Sequence, residues 1–336
     1  MIREAIQRVV DGYDLTEQEA AQSMAEIFEG QASPAQIGAF LTALRIKGET
    51  VDEILGCARV MREKATRIPH HQELVVDTCG TGGDNSGTFN ISTTAAFVVA
   101  GAGARVAKHG NRAMTSRSGS ADCLAALGVQ VDIPPEKVAR CLDEVGIGFL
   151  FAPALHGSMK HAVPVRREIG IRTLFNVLGP LTNPAGATCQ LMGVYDPDLC
   201  EKLAFVLGKL GARHVMVVSG LDGLDEITTC DETAVAEFRD GKVRNFHVGP
   251  EEFGLEQADP ASLRGGTPEE NAVFTRQVLE GAKGAKRDVV LLNAAAALVT
   301  AGLAPTLAEG LGLAAESLDT GRALEKLDSL IRTSKS

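Results

Sequence analysis

Apolar positions in the first 66 residues recur at helical spacing. Thr16-x-x-Glu19 is a capping box that opens EQEAAQSMAEIF, and Gly30 stands where that helix can stop. Ser33-Pro34-Ala35-Gln36 repeats the signal with proline at the first helical position, and Ile37, Phe40, Leu41 and Leu44 form one apolar stripe before Gly48. Thr50-x-x-Glu53 starts a third helix carrying Ile54, Leu55, Ala58 and Met61. Short connections make such helices antiparallel neighbours in a small bundle. From Glu73 the texture changes to short apolar runs alternating with helical patterns. Strands are predicted at 74–77, 104–108, 148–152, 190–195 and 214–220, with helices near 92–101, 120–127, 135–145 and 198–210. That alternation predicts an α/β domain with a largely parallel sheet. Asp240-Gly241 between alternating residues of 234–248 predicts a hairpin, and the last third of the chain returns to helix. The expected division is a helical domain over 1–70 joined by 160–186, and an α/β domain over 71–159 and 187–336.

Composition narrows the function. The 336 residues are 45% apolar with a net charge of −10, which leaves no electrostatic footprint for nucleic acid but allows a local basic pocket for a small anion. No apolar run reaches the roughly 18 residues of a membrane span, and the N-terminus lacks the apolar core of a signal peptide. The seven cysteines are scattered without a C-x-x-C pair, the pattern of reduced thiols in a cytoplasmic protein.

Four stretches carry candidate chemistry. DTCGTGGDNSGTFNIST (77–93) places four glycines between a strand and a helix. Backbone N–H groups and a helix N-terminus there suit phosphate, with Asn90, Ser92 and Thr93 as side-chain donors; a tight structural turn is the alternative. Neither a P-loop nor an intact G-x-G-x-x-G is present. KHGNRAMTSRSGSAD (108–122) also joins strand to helix, and offers Lys108, Arg112 and Arg117 with Asn111, Ser116, Ser118 and Ser120. Two such turns suit a ligand with two phosphate groups, although a charge cluster is commonly a solvated face. In SGLDGLDEITT (219–229), Asp222, Asp225 and Glu226 follow a strand and suit Mg²⁺ beside a polyphosphate, or else cap a helix. In 159–184, Arg166, Arg167 and Arg172 stand among apolar residues, where one arginine can grip a carboxylate and the others form surface salt bridges.

Together these stretches resemble the anthranilate phosphoribosyltransferase family. DTCGTGGD, TFNIST, KHGNR with SGSAD, HGSMKHAVPVRREIGIRTLFNVLGPLTNP and DGLDEIT stand in family order over essentially the whole chain. The resemblance implies the nucleoside phosphorylase class II type of fold, a helical domain plus an α/β domain, and a homodimer formed through the helical domain. It implies an active site in the interdomain cleft for anthranilate and 5-phosphoribosyl 1-diphosphate, with Mg²⁺. Gly80, Gly83, Asp84 and Thr88 fall on the family's diphosphate loop. Asn90, Ile91, Ser92, Thr93, then Lys108, His109, Gly110, Asn111, Arg112, Ala113, Met114, Thr115 and Ser116, and finally Ser120, fall on its other phosphoribosyl contacts. Ser92, Asp225 and Glu226 match the metal positions; Gly80, Asn111 and Arg166 match the anthranilate positions, with His109 and Pro180 close by.

The implied reaction is transfer of the phosphoribosyl group to the amine of anthranilate, giving N-(5-phosphoribosyl)anthranilate and diphosphate in L-tryptophan biosynthesis. Charge growing on the leaving diphosphate makes electrostatic preorganisation the main expected term. The aniline nitrogen is already neutral, so no obligatory general base is expected, His109 being the one candidate. Cys79 reads as a small buried hydrophobe rather than a nucleophile. The alternatives are a pyrimidine nucleoside phosphorylase and a non-catalytic nucleic-acid-binding relative on the same fold.

Overall fold

The computed structural model describes residues 1–113 and 116–336. The chain divides into two compact units, one of residues 1–66 and 152–184 and one of 67–151 and 185–336.

The first unit is helical. Its helices Glu17–Phe28, Pro34–Lys47 and Val51–Lys64 each begin with the capping box read from the sequence, on Thr16, Ser33 and Thr50. Ile37, Phe40, Leu41 and Leu44 are all buried. An earlier helix, Ile2–Val10, has no side-chain cap, which is why no start signal marked it. The later segment contributes Ala162–Ile169, which carries Arg166, and the short helical turn Phe175–Leu178. Buried Glu53 pins the loops: its carboxylate accepts from the N–H groups of Leu15 and Thr50 and from Lys47 Nζ.

The second unit is built on a seven-stranded sheet in the order β3-β2-β1-β4-β5-β6-β7. The strands are β1 (Val76–Gly80), β2 (Val106–Gly110), β3 (Ile147–Phe151), β4 (Cys189–Gly193), β5 (His214–Gly220), β6 (Thr233–Arg239) and β7 (Lys242–Val248). The first five are parallel, and β6 and β7 add antiparallel. The hairpin turn is the one expected: Asp240 and Gly241 have φ of 51° and 78°, the paired left-handed conformations of a type I′ turn. β1 runs later than its apolar run suggests, because Asp77 and Thr78 are paired within the sheet and buried. The helix expected over 135–145 ends as α-helix at Arg140 and continues as a π-helical turn, Cys141–Val145. Helix Ile91–Gly101 and the alanine-rich helix Ala285–Thr300 are buried along most of their length, the former packing on both the latter and β1. Among the described residues, no helix is long and apolar enough to cross a membrane.

In the helical unit, a Cβ on Gly56 would lie 2.2 Å from the Glu17 carbonyl oxygen and 3.0 Å from Ala21 N. Alanine gains about 1 kcal/mol of helix propensity over glycine, but backbone atoms cannot step aside as a side chain can. Gly56→Ala is therefore expected to destabilise the unit by about 1–3 kcal/mol, read from its urea transition, in line with other overpacked sites. An unchanged or raised midpoint contradicts the close packing.

Candidate active site

The site is assembled at the carboxyl ends of β1, β2, β4 and β5. Gly80 and Gly193 are paired residues at the ends of β1 and β4. A Cβ on Gly80 would lie 2.4 Å from Asp225 Oδ2, and one on Gly193 would lie 1.6 Å from the Asp225 carbonyl oxygen. These two glycines make room for the acidic turn after β5. The role expected for Gly80, free approach of a diphosphate, thus comes with a second one set by the protein itself. Beyond Gly80 the loop turns through left-handed backbone at Gly82, Gly83, Asn85 and Gly87. The Gly82 N–H donates to Asp225 Oδ2 at 2.7 Å.

Glu226 reaches the start of helix Ile91–Gly101, where the Ser92 N–H donates to its Oε1 at 3.0 Å. One of the helix N-terminal amides expected to meet a phosphate is therefore engaged by a carboxylate, which the helix dipole favours. Ile91 and Thr93 are buried, so their side chains belong to the core. Lys108 does not reach outward either. It is 3% exposed in β2, and its Nζ donates to the Thr78 carbonyl and to Ser92 Oγ at 3.4 Å. Burial pushes its pKa down, against the upward pull of Asp77 and Glu226.

The carboxyls of the acidic turn bind their protons more tightly than free carboxyls do. Burial raises the Asp225 pKa well above the carboxylate range, and Asp84 and Glu226 add to the rise. Burial pushes Glu226 up to about 7, although Lys108 and the Ser92 N–H favour its anion. Asp84 Oδ2 is buried with no hydrogen-bond partner. Adjacent Asp225 and Glu226 are hard oxygen donors of the kind that Mg²⁺ takes beside a phosphate, and among the described residues no group of three or more His, Cys, Asp or Glu side chains is placed to hold a metal by itself. Asp222 stands apart as a turn residue, accepting from Thr228 Oγ1 at 2.7 Å and from the Leu224 N–H.

The second loop is closed by a residue that its motif did not single out. Asp122 accepts from the N–H groups of Ala113 and Gly119 at 2.9 and 3.0 Å, and pairs with Arg112 Nη1 at 2.9 Å. Burial opposes this charge, but those partners outweigh it and hold the Asp122 pKa below its usual value. Arg117 lies 3.9 Å from Glu270 in an exposed pair, and Ser116 is exposed. Ser120 Oγ donates to the Asn111 carbonyl, and a Cβ on Gly110 would strike that hydroxyl. His109 donates its N–H to Asp77 Oδ1 at 3.1 Å. Met114 and Thr115 lie outside the described residues.

A third element supports both loops. Thr88 forms an isolated bridge with Arg264, the Phe89 N–H donates to the Leu263 carbonyl, and the Gly265 N–H donates to the Gly87 carbonyl. The sequence signal was Gly265-Gly266 directly before the capping box Thr267-x-x-Glu270, whose helix is Pro268–Leu279. In the helical unit, the Arg166 guanidinium lies 5.1 Å over the Phe175 ring, and burial pushes its pKa down. Among the described residues no carboxylate forms an ion pair with it.

Residues 72–324 match the family described as "Glycosyl transferase family, a/b domain", and residues 3–65 match its "helical bundle domain". The anthranilate phosphoribosyltransferase of Symbiobacterium thermophilum is 62% identical over 325 residues, 97% of this chain and 95% of the relative. The chain belongs to the anthranilate phosphoribosyltransferase family. The crystal structure of the family's enzyme from Thermus thermophilus superposes with a TM-score of 0.94 at 44% identity, covering 99% of both chains. The anthranilate phosphoribosyltransferase of Saccharomyces cerevisiae in complex with PRPP and Mg gives 0.90 at 28% identity, over 99% of this chain and 98% of that one.

The raised pKa of Glu226 has a consequence for the metal-free protein. Between its ordinary 4.5 and about 7, the folded state holds a proton that the unfolded chain has released. Stability from this group is therefore lost as pH rises through that window. Glu226→Gln removes the effect. In urea titrations with chelator, the variant is expected to gain on the wild type between pH 5 and pH 8, by on the order of 2 kcal/mol. A wild-type-minus-variant difference that does not change with pH contradicts the assignment.

Proposed function

We propose that the protein transfers the phosphoribosyl group of 5-phosphoribosyl 1-diphosphate to the amine of anthranilate, releasing diphosphate, as a step of L-tryptophan biosynthesis. The observation that carries this reading is the acidic pair Asp225 and Glu226, fastened to the glycine loop and to the start of helix Ile91–Gly101. A pyrimidine nucleoside phosphorylase or a nucleic-acid-binding protein does not call for that acidic pair beside two phosphate-type turns.

In this reading the diphosphate lies along Gly80, Gly83, Asp84 and Thr88, and the other phosphoribosyl contacts fall to residues 90–93, 108–116 and Ser120. Asp225, Glu226 and Ser92 would hold Mg²⁺, which supplies countercharge to the leaving diphosphate. The C–O bond at the anomeric carbon breaks, the C–N bond forms, and the nitrogen gives up one proton to water or to the departing diphosphate. Lys108, buried below Ser92, holds that hydroxyl and the Thr78 carbonyl in place. Asn111 and Arg166 orient anthranilate by its carboxylate, with His109 and Pro180 shaping the pocket; His109 is not required as a base. A homodimer through the helical unit is supported by exposed Val10, Tyr13 and Ile46 on that unit. The composition supports a cytoplasmic enzyme.

The test is incubation with both substrates and Mg²⁺, followed by loss of anthranilate fluorescence. Turnover requiring all three supports the reading, and none under any Mg²⁺ concentration overturns it. Arg166→Ala is expected to raise the KM for anthranilate by on the order of tenfold to a thousandfold, the range for losing one partner of a desolvated charged pair. The KM for phosphoribosyl diphosphate is expected to change little. Equal effects on both would assign Arg166 to the packing around Phe175 instead.

A further inference from the structure

A directional chain of side-chain amides links the two phosphate loops. The Gly266 N–H can only donate, and Asn271 Oδ1 accepts from it at 2.8 Å. That leaves Asn271 Nδ2 facing Asn90, where it donates to Oδ1 at 2.9 Å. Asn90 is oriented in turn: its Nδ2 donates to the Ser118 carbonyl at 3.3 Å, and Ser118 Oγ donates to its Oδ1 at 3.1 Å. A backbone donor at one end and a backbone acceptor at the other leave neither amide free to flip. Asn271 is 1% exposed. Its helix also bonds to the elements that follow both loops, through Thr275 Oγ1, which lies 2.9 Å from Thr94 Oγ1 and 3.8 Å from Cys123 Sγ.

We infer that Asn271 is a positioning residue for the phosphoribosyl diphosphate site: it sets the register between the glycine loop before Ile91 and the basic loop before Ser120, so that a ligand bridging them meets both already aligned. This rests on the function proposed above. Asn271 touches no substrate in that scheme; it acts through Asn90 and Ser118. The alternative, a buried asparagine that only satisfies the Gly266 N–H, makes no demand on its Nδ2. The isosteric change Asn271→Asp separates the two. It keeps the acceptor for Gly266 and removes the donor to Asn90, so that two oxygens face each other. If Asn90 turns its amide to relieve this, its oxygen faces the Ser118 carbonyl instead.

Asn271→Asp is expected to raise the KM for phosphoribosyl diphosphate about tenfold or more, as for a broken buried hydrogen bond, with the KM for anthranilate at saturating co-substrate unchanged. Ser118→Ala removes the far hydroxyl and is expected to act in the same direction more weakly. Combined with Asn271→Asp it should add less than its separate effect, because the two residues act through one chain. Amide hydrogen exchange without substrate is expected to quicken at 82–88 and 116–119 together in Asn271→Asp. An unchanged KM for phosphoribosyl diphosphate, an equal rise for both substrates, full additivity, or exchange that quickens in one loop alone overturns the inference. If Asn271→Asp does not fold, Ser118→Ala carries both the kinetic and the exchange arms. Failure of the function itself would appear as a wild type without turnover; the exchange arm then still decides whether Asn271 couples the loops.

Discussion

The structure of the α/β unit turns on one close approach. The ends of β1 and β4 carry no side chain at the paired positions Gly80 and Gly193, and Asp225 occupies the space. A methyl group at Gly193 would overlap the Asp225 backbone itself, which lies in a turn that cannot retreat because Ile227 is hydrogen-bonded in both directions to Asn293 of the helix behind it. Once Asp225 is seated, its Oδ2 takes the Gly82 N–H and Glu226 takes the Ser92 N–H. Two carboxylates thereby define where the glycine loop begins and where the next helix starts.

This arrangement keeps the site electrostatically incomplete. Asp84 and Glu226 add to the raised pKa of Asp225, Asp84 adds to that of Glu226, and Lys108 is the buried cation beside them. Folding costs free energy wherever like charges are brought together out of water. The basic residues of the second loop do not relieve it. Arg112 is paired with Asp122 and Arg117 with Glu270 of helix Pro268–Leu279.

Much of the fold was legible because its signals are local. Three capping boxes, the proline at the first turn of Pro34–Lys47 and the Asp240-Gly241 turn each act within four residues. The expected parallel sheet with a helical domain is the fold observed, as the family's solved structures have it. Where local rules misled, a longer-range pairing had overridden them. β1 extends past Asp77 to Gly80 because β4 supplies its ladder, and helix Ile2–Val10 is held by packing rather than by a cap.

Local pattern was enough to pick out the parts: glycine turns between strand and helix, an acidic pair after a strand, and a motif order specific enough to identify the family. How the parts are joined depends on contacts between distant residues. Asp225 meets Gly82 across 143 residues, Glu226 meets Ser92 across 134, and Asn271 meets Asn90 across 181. No spacing rule reaches so far. A carboxylate's partner, the direction in which Lys108 points, and the reason Gly193 lacks a side chain depend on which strands become neighbours. Strand order in a parallel sheet is set by crossovers and by burial of the whole apolar surface, not by residues at the site.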